Sequence, residues 1–271
     1  PLFRVDFAFM LDFLFSLRLW QLALLLNVVL CGFSVICVWA YRRWVLPGMR
    51  FGPGDSEYSG AVTQSIMVCY GLIAALTAVK VWDRYGQVAE VASSEATSLS
   101  TLWRDLGGYP SPTREKLQGH LRAYTDQVIR RAWPEMQAGR VPKEGVHMID
   151  DFQRDLFAFE PVTETHKLIH AETLQAFNKM AHDRRRRVDA ATTALPDVLW
   201  VVLLPGAFCC ILLSLFYRIE EPRLQYICTV GLAGFIAMVL FVVFALDRPF
   251  VGDMAIQPDS YQRVFDHLMK P

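Results

Sequence analysis

Gly60-Ala61-Val62-Thr63-Gln64-Ser65-Ile66-Met67-Val68-Cys69-Tyr70-Gly71-Leu72-Ile73-Ala74-Ala75-Leu76-Thr77-Ala78-Val79 is an uncharged run. It has the length a helix needs to cross a bilayer, roughly 20 residues for ~30 Å of hydrocarbon. The run passes through Lys80-Val81-Trp82-Asp83-Arg84-Tyr85 into a polar helical stretch, Val88 to Leu106, with no proline and with Gly86 as its interior breaker. It carries Thr63, Gln64, Ser65 and Thr77 beside Gly60, Gly71 and several alanines. In lipid, small residues let helices approach closely, and polar side chains are tolerated mainly where they face protein or water. This span is therefore expected nearest the centre of an assembly.

Three further apolar runs are long enough to span: Leu19 to Tyr41, Leu195 to Tyr217 and Tyr226 to Leu246. A chain that is 53% hydrophobic and 20% charged is too apolar for an ordinary soluble domain and too charged to lie wholly in lipid. The 27 basic and 27 acidic residues cancel, so no global field recruits nucleic acid. All six cysteines lie in the apolar runs without metal-type spacing, and read as small apolar residues. The expected class is an all-α polytopic membrane protein with four transmembrane helices and a cytoplasmic helical region.

The organisation follows the composition. Residues 1–18 are hydrophobic but interrupted by Arg4, Asp6, Asp12 and Arg18, as in a helix lying along the membrane surface, though continuity with the first span is an equal alternative. Residues 19–82 hold the first two spans, separated by a turn at Gly52-Pro53-Gly54. Residues 83–194 are polar. Their helices break near Gly107-Gly108, near Trp133-Pro134 and at Pro161, and Val146, Ile149, Phe152, Leu156 and Phe159 form one apolar stripe. Residues 195–246 hold the last two spans, and 247–271 form a tail. Arg184-Arg185-Arg186-Arg187 lies close to the third span and, by the positive-inside tendency, is expected to be cytoplasmic. Four spans then put the N-terminus, the helical region and the C-terminus inside.

Little in the sequence carries catalytic chemistry. His166 and His170 share a helix face, but Lys167 intrudes and solvated histidines are the plainer reading. No nucleophile elbow, phosphate loop or carboxylate pair is present, so no enzyme, cofactor or metal is expected. The arginine run has two sober roles, binding anionic lipid headgroups or setting topology. On the second span Gln64, Val68, Leu72, Leu76, Lys80 and Arg84 recur every fourth residue in a slanted row. With several copies round an axis, Gln64 to Leu76 would line a narrow, mostly apolar passage, and Lys80 and Arg84 would attract anions at its inner end. Ordinary packing with snorkelling basic residues is the alternative, and periodicity alone favours it.

The order of landmarks adds to this. Trp82-Asp83-Arg84-Tyr85, Glu90 and Glu95, Ala132-Trp133-Pro134-Glu135-Met136, the arginine run, Leu195-Pro196-Asp197-Val198-Leu199-Trp200 and Asp247-Arg248-Pro249-Phe250-Val251-Gly252 follow one another between about Leu19 and Tyr261. In this order the chain resembles bacterial bestrophin-like membrane proteins and, more distantly, the bestrophins, which are pentameric chloride-permeable channels lined by their second span. Trp82-Asp83-Arg84-Tyr85 is similar to the stretch where that span leaves the membrane, and Pro249-Phe250-Val251-Gly252 to a Pro-Phe-Gly motif after the last span. The resemblance implies a homo-oligomer, favours a pentamer, and makes inorganic anions and membrane lipids the expected partners. Two departures stand out: Gln64, Val68 and Leu72 replace a neck of bulky Ile and Phe, and of the acidic calcium cluster only Asp253 and Asp259 follow the motif.

The sequence therefore predicts a bacterial inner-membrane, bestrophin-like ion channel conducting anions passively. The alternative is a non-conducting scaffold or accessory subunit held among unlike membrane partners.

Overall fold

A computed structural model describes residues 17–48, 55–142, 144–217, 219 and 221–270. The interfacial segment expected over residues 1–18 lies, but for its last two residues, outside them, as does the turn at Gly52-Pro53-Gly54. No strand occurs among the described residues. Contacts divide the chain into two units, Pro1–Asp83 with Ala194–Asp247, and Arg84–Thr193 with Arg248–Pro271.

The first unit carries the apolar helices. Among the described residues four helices are long and apolar enough to cross a membrane, and the protein is an integral membrane protein. Helix α1 (Leu19–Ala40) buries Leu22, Leu26, Leu30, Ser34 and Val38, a strict fourth-residue row. Helix α2 (Asp55–Asp105) begins in this unit, α7 spans Asp197–Ser214 and α8 spans Pro222–Asp247. The row on α1 packs chiefly on α8, which buries Thr229, Ala233, Ile236, Ala237 and Leu240. Small residues bring these backbones close: Cys31 Sγ lies 3.8 Å from the Val230 carbonyl oxygen. Helix α2 meets α7 through Gly206, where an added Cβ would fall 2.7 Å from the Tyr70 ring. The Tyr70 hydroxyl then donates to the Leu203 carbonyl at 3.2 Å.

Helix α2 runs on, unbroken, to Asp105. At ~1.5 Å per residue its 51 residues measure ~77 Å, more than twice a hydrocarbon core. Gly86, the one interior breaker past the apolar run, has no neighbouring atom within 4 Å where a Cβ would stand, so its place in the helix is not a packing requirement.

In the second unit α2 is joined by α3 (Thr113–Gln127), which continues through a π-helical turn (Val128–Ala132) into α4 (Trp133–Gln137). Helices α5 (Val146–Phe157) and α6 (Glu164–Thr192) follow, and the C-terminal α9 (Asp259–Val264) packs into the same core. The tail that the sequence sets apart thus folds with the polar helices. Pro134 sits in the first turn of α4, where its missing N–H costs nothing, so Trp133-Pro134 marks a helix start after the π turn. On α5 the expected stripe is buried at Phe152 and Leu156, while Val146, beside the helix start, is exposed. Thr163 caps α6, its hydroxyl accepting from the His166 N–H at 3.1 Å.

Candidate functional site

Val68, Leu72 and Leu76 are 64%, 60% and 61% exposed, and Gln64 and Lys80 are exposed with them. Thr63, Ala74, Thr77 and Val81 on the other side of α2 are buried. Each fourth-residue step turns about 40° round the helix, so Gln64 to Leu76 sweeps about 120°. Arg84 falls well round from Gln64 and is half-buried, its Nη2 donating to the Thr193 carbonyl. Trp82 and Asp83 are exposed, whereas the Tyr85 hydroxyl donates to the Met254 carbonyl at 2.9 Å.

The second unit encloses a charged centre. The side chains of Arg187 and Glu95 are 1% and 0% exposed, and they meet as a fork, Nε to Oε2 at 2.8 Å and Nη2 to Oε1 at 3.2 Å. The Tyr124 hydroxyl donates to Glu95 Oε1 at 2.7 Å. The guanidinium carbon stands 5.5 Å from the Trp133 ring centroid and 5.7 Å from that of Tyr261, with Met136 Sδ 3.5 Å from Nη1. Burial opposes the charge on Arg187, but Glu95, followed by Tyr261 and Tyr124, outweighs it and drives the pKa further up. Burial first, then Glu95, raises both tyrosine hydroxyls, so they stay protonated.

Arg187 therefore departs from its neighbours in the arginine run. Arg185 and Arg186 are exposed and Arg184 is half-buried. A guanidinium enclosed by Glu95 and two aromatic rings does not reach the surface, so of the two roles expected for the run, headgroup binding is corrected for Arg187. Periodicity held the signal. Thr173, Phe177, Met180 and Arg187 fall on one buried face of α6, and Val88, Ala92, Glu95, Leu99 and Leu102 alternate steps of four and three along α2, with Leu106 continuing the row just past its end.

The motif after the last span feeds the same centre. Asp247, buried, accepts the Leu195 N–H at 2.7 Å within the first unit. In the second, Phe250 packs edge-on against Trp133 at 5.5 Å, and Trp133 Nε1 donates to the Ile256 carbonyl at 2.8 Å. Gly252 has φ +86°, a left-handed conformation that side chains disfavour, and the Ala255 N–H returns to its carbonyl at 3.1 Å. Pro249 supplies the carbonyl that accepts the Ile256 N–H at 2.9 Å.

His166 and His170 both stand against Phe159. His170 Nδ1 lies 2.7 Å from the Tyr109 hydroxyl, burial holds its pKa below the ordinary value, and His166 stands edge-on to Phe159. No group of three metal-ligating side chains occurs among the described residues.

The chain belongs to the bestrophin-like family: the model of the Bestrophin-like domain matches residues 28–261. Solved structures share the fold. A bacterial bestrophin homologue from Klebsiella pneumoniae, 12% identical, aligns with a TM-score of 0.69 over 92% of this chain and 99% of its own. A single-substitution variant of that homologue, also 12% identical, gives 0.71 over 91% and 97%. No curated protein matches the chain.

Proposed function

We propose that copies of this chain, five being favoured, form a ring round α2 and conduct anions passively. Gln64, Val68 and Leu72 would form the constriction, Leu76 would extend it, and Lys80 with Arg84 would draw anions to its inner end. One observation carries the reading. Within a single chain 17% of the apolar window of α2 is buried, against 28%, 28% and 39% for the other candidate spans. Lipid alone covers apolar surface well, but the exposed row includes the Gln64 amide, which calls for protein or water. Neighbouring copies and a water-filled axis supply both. The family membership and the shared fold favour the same arrangement.

The helical unit and both termini are then cytoplasmic at a bacterial inner membrane, with the run Arg184, Arg185, Arg186 and Arg187 as the positive-inside signal. Trp82, Asp83, Tyr85, Asp247, Pro249, Phe250 and Gly252 would be the family-motif positions. The reading includes no catalytic step and no calcium site. Native mass spectrometry of the nanodisc-extracted particle tests it. A multiple of 30.9 kDa, five above all, is expected. One copy travelling with unlike chains would replace the channel by an accessory subunit.

A further inference from the structure

Arg84 and Arg186 stand far apart in sequence, yet both line one cleft of about 250 Å³ between α2 and α6. Gln87 and Asp189 share its wall, and Val88 and Val91 give it an apolar side. The bond from Arg84 Nη2 to the Thr193 carbonyl ties one guanidinium to the cleft wall. Arg186, exposed, brings a second from the facing helix. Two guanidinium groups against the single Asp189 carboxylate leave the lining with a charge of +1. Planar N–H forks on two helices match an anion with several oxygens better than a spherical halide, and guanidinium binds phosphate in a bidentate manner. The volume admits a phosphate with several waters, each claiming about 30 Å³.

The position in the chain narrows the source. Arg84 opens the second unit and Thr193 closes its first segment, so both adjoin the apolar runs directly in sequence. A site there meets the phosphates of a bilayer surface as well as phosphate in solution. We infer that the cleft between Arg84 and Arg186 is a binding site for a phosphate group, carried either by an anionic phospholipid or by a soluble phosphate. This site shares Arg84 with the proposed passage, but phosphate binding at it does not depend on conduction through α2.

The full-length protein in phosphatidylcholine nanodiscs, with or without phosphatidylglycerol, provides the test. Native mass spectrometry counts retained phosphatidylglycerol, and calorimetry follows inorganic phosphate in phosphatidylcholine alone. Arg186→Gln, and separately Arg84→Gln, is expected to weaken binding roughly tenfold, the loss of a charge-assisted bond. Arg185→Gln, exposed and outside the cleft, should leave binding unchanged. Retained phosphatidylglycerol without phosphate binding identifies the lipid as the source, and phosphate binding in phosphatidylcholine identifies the soluble anion. Binding of neither probe, binding unaffected by Arg186→Gln, or an equal loss in Arg185→Gln overturns the site. Arg186 is exposed, so its variant keeps the test decisive if Arg84→Gln fails to fold.

Discussion

Arg187 and Glu95 face each other inside the helical unit, two nitrogens on two oxygens, with Tyr124 completing the carboxylate's hydrogen bonding. The pair joins α2 to α6, and the Trp133 and Tyr261 rings extend it to the segment after the last span. Removing one member leaves the other buried and uncompensated. Glu95→Gln or Arg187→Met should each destabilise the protein by about 3–5 kcal/mol, while the double variant should lose less than the sum. Thermal unfolding of the solubilised protein checks both. Arg187→Lys keeps the charge but not the fork, and is expected to fall between these variants and wild type.

Gly252→Ala forces a side chain into left-handed backbone at φ +86°. A cost of about 1–2 kcal/mol is expected. Open space surrounds the position, with no atom within 4 Å of a Cβ, so the loss would report backbone strain alone. Equal melting temperatures for Gly252→Ala and wild type would contradict it.

Gly206→Ala probes the opposite case, crowding without strain. Its methyl would meet the Tyr70 ring at 2.7 Å, and the helices must part or the ring must move. A loss of about 1–3 kcal/mol is expected, relieved when Tyr70→Leu is added. Tryptophan fluorescence during unfolding of the two variants measures the difference.

Two groups in the helical unit make stability depend on pH in opposite senses. Burial lowers the His170 pKa from its ordinary 6.5, so the unfolded chain binds the proton more readily. The stabilising contribution of neutral His170 is present above pH 6.5 and declines as the pH falls below it. Asp105 is the reverse: burial first, then Glu172, raises its carboxyl above 3.8, and its Oδ2 is buried with no hydrogen-bond partner among the described residues. Its stabilising contribution is present below 3.8 and is lost as the pH rises through the folded value. Asp105→Asn should therefore melt higher than wild type near neutral pH, and His170→Asn should show a weaker loss of stability on mild acidification. Melting curves at about pH 7.5 and 5.5 separate the two effects.

Lys80→Glu should move the reversal potential under a chloride gradient towards cation preference, since the charge nearest the proposed passage changes sign. Leu72→Trp should reduce conductance by narrowing the same row. Planar-bilayer currents identical to wild type in both variants would remove α2 from the permeation path.

The four spans and the continuity of α2 were legible because each rests on local composition: some twenty apolar residues, then a helix with no proline. The fold class and the family followed from the same chain order. The arginine pair was harder. Arg184-Arg185-Arg186-Arg187 reads as one basic run by type, and its last member differs only in the helical face it occupies. Glu95 stands among the landmarks of the resemblance, but beyond that and its place in a buried row nothing local marks it as the partner of Arg187. Long-range closure decided both, as it decided that residues after Asp247 fold with the polar helices. The cleft at Arg84 had the same origin, because no spacing rule relates Arg84 to Arg186.

Tyr85 and Trp133 each reach the segment after Gly252 by donating to a main-chain oxygen, at Met254 and Ile256. Every amino acid offers that oxygen. What these two aromatic side chains recognise is therefore the course of the chain and not its spelling: Met254, exposed, should accept other residue types without loss of the bond, whereas the glycine that sets the course should not.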